Sequence, residues 1–242
     1  MLWGRHDGRH HAAPVVIPWT LLDTATIPGD GGTLRLFRRG AEFSIRLGDN
    51  ELMNSRLSGS EEALATLACA RIGMRAGARL LIGGLGMGFT LHAALGALRP
   101  DAELVVVELV PAVVAWARGP LAEISGRDLD DPRVAIREGD VAAAIGAERS
   151  AYDAILLDVD NGPDGLTRPA NDRLYDPAGL GAARAALRPG GVLAVWSATP
   201  DAGFTRRLGQ AGFLVETVPV RARGARGGAR HTVWLATRPG RA

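Results

Sequence analysis

The residues able to do chemistry in this chain are a glycine-rich run and a series of acids spaced behind it. Gly84-Leu85-Gly86-Met87-Gly88 follows the short apolar run Arg79–Ile82 and precedes a helical stretch, Phe89–Leu98, that stops at Arg99-Pro100. Leu104–Val107 reads as a second buried strand, with Glu108 at its C-terminal edge. Glycine carries no Cβ, so the backbone at Gly84, Gly86 and Gly88 can approach a ligand closely. The helix that follows offers free N–H groups at its start. An acid at the end of the next strand, about 20 residues on, can accept both hydroxyls of a ribose. A G-x-G-x-G run alone is also a plain strand-to-helix turn. Strand, loop, helix, strand and acid in this order point instead to an adenosine-containing ligand held by Gly84, Gly86, Gly88 and Glu108.

Two further acids follow strands. Asp140 comes after Gly139 and the third strand, Val134–Arg137. It can accept from an adenine amino group and also cap the helix that starts at Val141, because a carboxylate has two oxygens. Asp158 closes the apolar run Ala154–Leu157 and is followed by Asp160-Asn161-Gly162-Pro163. A turn before Gly162-Pro163 does not need two carboxylates and an amide. Asp158 is therefore expected to act as a general base or cation anchor, with Asp160 and Asn161 shaping the acceptor side.

The elements that must position these groups form a repeated βα pattern from Arg79 onward. The expected strands are Arg79–Ile82, Leu104–Glu108, Val134–Arg137, Ala154–Asp158 and Val192–Trp196, with helices near Pro111–Arg118, Val141–Ile145, Ala178–Leu187 and Gly203–Ala211. Such alternation implies a parallel sheet covered on both faces by helices. The end differs: Phe213–Val220 and His231–Thr237 have no helix between them. The expected fold is α/β, a doubly wound, mostly parallel seven-stranded sheet closed by an antiparallel hairpin, the layout of class I methyltransferases. Residues 1–58 read as an arm and a small antiparallel β region containing Thr33–Phe37 and Glu42–Leu47, and residues 59–242 as the nucleotide-binding domain. A helix is expected from Ser60 through Arg71, with Ser60 as N-cap and Glu61 and Glu62 in the first turn.

Composition narrows the function classes. The chain of 242 residues carries 28 basic and 26 acidic side chains, and every basic one is Arg. A net charge of +2 does not suggest a nucleic-acid binder, and no aromatic residue interleaves the Arg-rich segment Arg221–Arg230 to stack on bases. No apolar run reaches membrane-span length, and the N-terminus lacks the apolar core of a signal peptide, so a cytoplasmic protein is expected. The single Cys69 lies in the apolar stretch Ala63–Ala70 and reads as a buried structural thiol in a reducing compartment. His6, His10 and His11 read as part of a frayed polar arm, and no metal site is expected.

From Arg79 to Ser197 the chain resembles the spermidine synthase family, the polyamine aminopropyltransferases. The resemblance is carried by Ile82–Gly88, Val107-Glu108, Leu129-Asp130-Asp131-Pro132-Arg133-Val134, Gly139-Asp140, Tyr152–Asp158, Leu174-Tyr175 and Leu187-Arg188-Pro189-Gly190-Gly191, in the family's order. It implies that Glu108 binds ribose, Asp140 adenine, and that Asp158 activates an amine. The donor would be S-adenosylmethionine or its decarboxylated form and the acceptor a small molecule, an amine by the resemblance; a homodimer is compatible with these expectations. Three features depart from the family. Met87 stands where the glycine loop carries an acid that engages the donor's amino group. The strand-four motif is altered to Asp158-Val159-Asp160-Asn161. The Tyr-His-Glu signature is absent, and the comparable region reads Asn50-Glu51-Leu52-Met53-Asn54-Ser55-Arg56. Aminopropyl and methyl transfer both stay open on these residues. A non-catalytic nucleotide-binding or scaffold protein of the same fold is the alternative. A dinucleotide oxidoreductase fits the first βαβ unit but not the terminal hairpin or Gly139-Asp140.

Overall fold

The computed structural model describes residues 17–29, 32–159, 163 and 172–240. The N-terminal part is a four-stranded antiparallel sheet of β1 (Thr20–Thr26), β2 (Thr33–Arg39), β3 (Glu42–Leu47) and β4 (Asn50–Asn54), paired in chain order. Two-residue turns at Gly40-Ala41 and Gly48-Asp49 join β2 to β3 and β3 to β4, since Arg39 pairs with Glu42 and Leu47 with Asn50. The sequence pattern reveals β2 and β3 but not their flanks. β1 is exposed along nearly its whole length and slips register between Leu21 and Asp23, so it lacks the alternation that marks a half-buried strand.

The chain then enters α1 (Gly59–Ile72) and runs through β5 (Arg79–Gly83), α2 (Phe89–Ala97), β6 (Glu103–Glu108), α3 (Pro111–Arg118), α4 (Arg127–Leu129), β7 (Val134–Glu138), α5 (Val141–Gly146), β8 (Tyr152–Leu157), α6 (Asp172–Tyr175), α7 (Pro177–Ala186), β9 (Leu187–Ser197), α8 (Ala202–Gln210), β10 (Leu214–Arg221) and β11 (Arg230–Thr237). The seven strands lie in the order β10-β11-β9-β8-β5-β6-β7. β7, β6, β5, β8 and β9 are mutually parallel, and β11 and β10 add antiparallel to β9. The fold class expected from the sequence is the one observed.

Both faces of this sheet are covered, which explains the near-continuous apolar runs of its central strands. Leu80, Ile82, Leu104, Val106, Ala154 and Leu156 face one core, while Leu81, Val105, Val107, Ile155 and Leu157 face the other. The first core also contains Ile27, Leu34, Leu36, Phe43 and Ile45, so the N-terminal sheet packs into it. Burying each such Leu, Ile or Phe contributes about 1.5–3 kcal/mol. Cys69 belongs to the same core, and burial pushes its thiol up to about 11, which suits an inert side chain.

Two boundaries differ from the sequence expectation. β9 begins at Leu187 rather than Val192, because Gly190 and Gly191 pair with Arg238 beyond β11 and extend the ladder. Ser60 is not the N-cap of α1. Gly59 donates its N–H to the Ala222 carbonyl and already lies in the helix, so Ser58 precedes it and Ser60 is buried in the first turn. Its hydroxyl is engaged elsewhere, as described below.

Candidate active site

The carboxyl ends of β5, β6, β7 and β8 converge on the loop between β5 and α2, the place where open α/β sheets bind ligands. Glu108 organises that loop. Its Oε2 accepts the Leu85 N–H at 2.8 Å and its Oε1 the Val110 N–H at 2.9 Å. The carboxylate is 8% exposed, and burial raises its proton affinity against the pull of these N–H donors. The N–H groups of Gly86 and Leu109 pull in the same direction. Gly84 adopts φ +87°, and a Cβ there would meet the Asp158 carbonyl oxygen at 2.5 Å, so only glycine lets the loop lie against the end of β8. Gly86, at φ +53°, turns under the Met53 sulfur, 3.2 Å from where a Cβ would stand.

Two adjoining cavities open here. The larger, of about 790 Å³, is lined by Gly84, Gly86, Glu108, Gly139, Asp140 and Asp158, with Ile27, Leu34 and Ile45 of the N-terminal sheet closing it. The smaller, of about 620 Å³, is lined by Leu52, Met53, Glu61, Leu85, Gly86, Met87, Phe89, Asp158 and Trp196. Leu52, Met53, Gly86 and Asp158 line both. Of the residues expected from the sequence, Gly84, Gly86, Glu108, Asp140 and Asp158 are thus brought together. Asp140 also caps α5, its Oδ1 accepting from the Ala142 N–H at 2.8 Å. Gly88 is not part of either lining. It starts α2 in a left-handed conformation and packs against Ser125, where a Cβ would meet the Ser125 Cβ at 2.6 Å. Asp160 and Asn161 lie outside the described residues.

The smaller cavity contains groups that the sequence reading passed over. Thr90, in the first turn of α2, donates its hydroxyl to Asp158 Oδ2 at 2.8 Å and so fixes that carboxylate. Burial raises the proton affinity of Asp158 against this bond. Glu61 stands on α1 in the same cavity, and burial together with the Asp158 charge pushes its carboxyl up to about 7. A first-turn acid is commonly a partner of the helix dipole, and nothing in the local pattern reports that this one turns inward. Among the described residues, no basic side chain lines either cavity and no cluster of three or more His, Cys, Asp or Glu could hold a metal. No described helix is long and apolar enough to cross a membrane.

A doubly wound sheet in this strand order, closed by an antiparallel hairpin and carrying its glycine loop and Glu108 at the strand ends, is a class I methyltransferase-like fold. Solved structures agree. The chain superposes on the spermidine synthase of Thermotoga maritima with a TM-score of 0.69 at 17% identity, covering 90% of this chain and 72% of that one. A probable spermidine synthase of Corynebacterium glutamicum gives 0.57 at 16% identity, with 90% and 79% covered. The CurJ carbon methyltransferase gives 0.53 at 18% identity, with 74% and 54% covered. In sequence, the chain is a homologue of the polyamine aminopropyltransferases of Mycobacterium tuberculosis and Mycobacterium bovis, 34% identical over 101 residues. That stretch is 40% of this chain and spans only 18% of the length of those relatives. No family model matches the chain.

Proposed function

We propose that this protein transfers an alkyl group from an S-adenosylmethionine-type sulfonium donor to a small amine. One observation carries this reading: two cavities share Asp158, with Gly84, Gly86, Glu108 and Asp140 on one side and Glu61 on the other. The larger cavity takes the adenosyl part. Glu108, at the end of β6 in the larger cavity, accepts from the ribose hydroxyls, and Asp140 accepts from the adenine amino group through the oxygen not used in capping. The glycine loop gives the ligand close access to the backbone. The smaller cavity takes the amine.

An alkylammonium has no lone pair with which to attack, and its pKa is near that of Lys. Asp158 attracts it, held in place by Thr90, and lies where the sulfonium must meet the amine. Once the ammonium has given one proton to a carboxylate of this cavity, its nitrogen attacks the alkyl carbon in line, and the sulfur leaves as a neutral thioether. An anionic wall around the reacting cation also stabilises the positive charge that passes from sulfur to nitrogen. Among the described residues no basic side chain lines either cavity to meet a donor α-carboxylate. This favours the decarboxylated donor, and hence aminopropyl transfer, even though Met87 replaces the loop acid. The relatives named for polyamine aminopropyl transfer agree with that choice.

Calorimetric titration with S-adenosylmethionine, its decarboxylated form, methylthioadenosine and NAD tests the reading. Methylthioadenosine and the decarboxylated donor are expected to bind tightest. Preferential binding of NAD would overturn it, and preference for the carboxylated donor would turn it toward methyl transfer.

A further inference from the structure

The acceptor cavity has a polar way out. Glu61 Oε2 accepts the Ser60 hydroxyl at 2.7 Å, and Ser60 Oγ lies 2.9 Å from His231 Nδ1. Ser60 is 1% exposed, whereas His231 is half-buried at the start of β11. The His231 ring meets the edge of Trp196, a lining residue of the cavity, at 4.9 Å between centroids. A carboxylate inside the cavity, a buried hydroxyl and an imidazole nearer the surface therefore form one continuous hydrogen-bonded line. The Asp158 carboxylate has no such line: among the described residues its one hydrogen bond comes from Thr90, on the inner side.

We infer that Glu61 takes the proton released by the acceptor amine and passes it through the Ser60 hydroxyl to His231, which returns it to solvent. The inference rests on the cavity being an amine-alkylating site and adds to it a division of labour between two carboxylates, Asp158 as cation anchor and Glu61 as proton acceptor. The bound ammonium first gives one proton to Glu61, which frees the nitrogen lone pair. As that lone pair forms the new N–C bond, the S–C bond breaks, its electron pair stays on sulfur, and the product keeps the positive charge as a secondary ammonium. Once Glu61 is protonated it donates to Ser60 Oγ, and the Ser60 hydroxyl, which otherwise donates to Glu61, turns to His231 Nδ1, the unprotonated nitrogen of the Nε2–H tautomer. The proton passes to Nδ1, the imidazolium loses its Nε2 proton to water, and tautomer exchange through solvent restores the Nε2–H ring, while Ser60, now carrying the proton from Glu61, faces Glu61 again.

The charges around Glu61 suit a group that must alternate between its two forms. Asp158 faces it from the end of β8 and Glu62 from its own helix, and both disfavour its anion. Helix α2 presents the uncharged Thr90, whose hydroxyl also reaches the Glu61 carbonyl at 3.4 Å. β11 presents His231, whose burial lowers its proton affinity, so that it releases a proton readily. The turn at Arg223 and Gly224 packs against Gly59 at the foot of the helix. Glu61 thus lies in the range where a group both accepts and returns a proton near neutral pH.

The test compares the native protein with Glu61→Gln, Ser60→Ala and His231→Gln, using decarboxylated S-adenosylmethionine and putrescine as probes. Folding is checked by circular dichroism, and should His231→Gln fail to fold, Ser60→Ala carries the test. Glu61→Gln is expected to lower kcat roughly 100-fold, and Ser60→Ala and His231→Gln about tenfold, with donor affinity unchanged. The acid limb of the pH–rate profile should be lost in Glu61→Gln. Added imidazole should restore His231→Gln, because a small base can replace the missing exit, whereas a merely structural defect would not respond. Native rates in Ser60→Ala and His231→Gln, or reduced rates without rescue, would overturn the relay. Loss of donor binding in Glu61→Gln would overturn it too, placing Glu61 on the donor. A native protein that binds donor but alkylates no amine would defeat the underlying reading, a result distinct from active enzyme with a dispensable relay.

Discussion

The two halves of the site are built in opposite ways. The proposed nucleotide half is local: Gly84, Gly86 and Glu108 lie on one βαβ unit, and a single carboxylate ties loop to strand through Leu85 and Val110. The proposed acceptor half is assembled from afar: Glu61 comes from α1, Met53 from the N-terminal sheet, Asp158 from the end of β8 and Trp196 from β9. The first half is a chain segment with a shape of its own, and the second exists only once the fold has closed. The halves meet at Gly84, whose missing Cβ lets the loop touch the Asp158 backbone.

That junction gives the largest expected effect. Gly84→Ala would put a Cβ 2.5 Å from the Asp158 carbonyl oxygen at φ +87°. Loop and Asp158 must then part, and donor binding and turnover should both be lost beyond about 100-fold in a protein that still folds. Binding titration and initial rates check this, and a normally binding Gly84→Ala would show that the two halves are not coupled there. Asp158→Asn should separate them: shape and the Thr90 contact stay, charge and basicity go. The rate should fall by roughly 10²–10⁴ while donor affinity changes little. Loss of donor binding instead would assign Asp158 to the nucleotide half.

Glu108→Ala probes the other side. It removes the ribose partner and strands the Leu85 and Val110 N–H groups, each bond to a charged group being worth about 1.5–3 kcal/mol. Donor affinity should drop by roughly 10- to 100-fold, with a lowered denaturation midpoint. Unchanged affinity would remove Glu108 from the ribose site.

The smallest effect concerns pH. Glu61 binds its proton more tightly in the folded protein, at about 7 against an ordinary 4.5. Between those values the folded state holds more protons than the unfolded one, so this group lowers stability as pH rises through that window. Below the window the cost is absent and above it complete. Glu61→Gln should therefore stabilise the protein by about 1–3 kcal/mol at pH 8 and by little at pH 4, measured by urea denaturation. Equal gains at both pH values would mean that Glu61 is not held ionisable in a buried place beside another carboxylate.

The contrast between the halves also explains what could be read from the sequence. The central strands show as apolar runs because both faces of the sheet are buried, and the glycine loop, Glu108 and Asp140 show because each sits at a fixed offset from a strand. The terminal hairpin shows because no helical pattern separates its strands. Glu61, Thr90 and Trp196 stay hidden, since each looks locally like an ordinary first-turn acid, a helix residue and a strand aromatic. Gly88 looks like part of the ligand loop but is required by Ser125 behind it. Ser60 looks like a cap, yet the contact of Gly59 with Ala222, more than 160 residues away in sequence, starts the helix earlier. β1 is missed because it hangs on the sheet by backbone pairing and buries little.

Product analysis tests the central claim most directly. The purified protein is incubated with decarboxylated S-adenosylmethionine and putrescine, and the mixture is followed by mass spectrometry. Methylthioadenosine and an aminopropylated amine are expected in equal amounts, both strongly reduced in Asp158→Asn. Donor that binds at the glycine loop yet is recovered intact beside unmodified amine would contradict that claim.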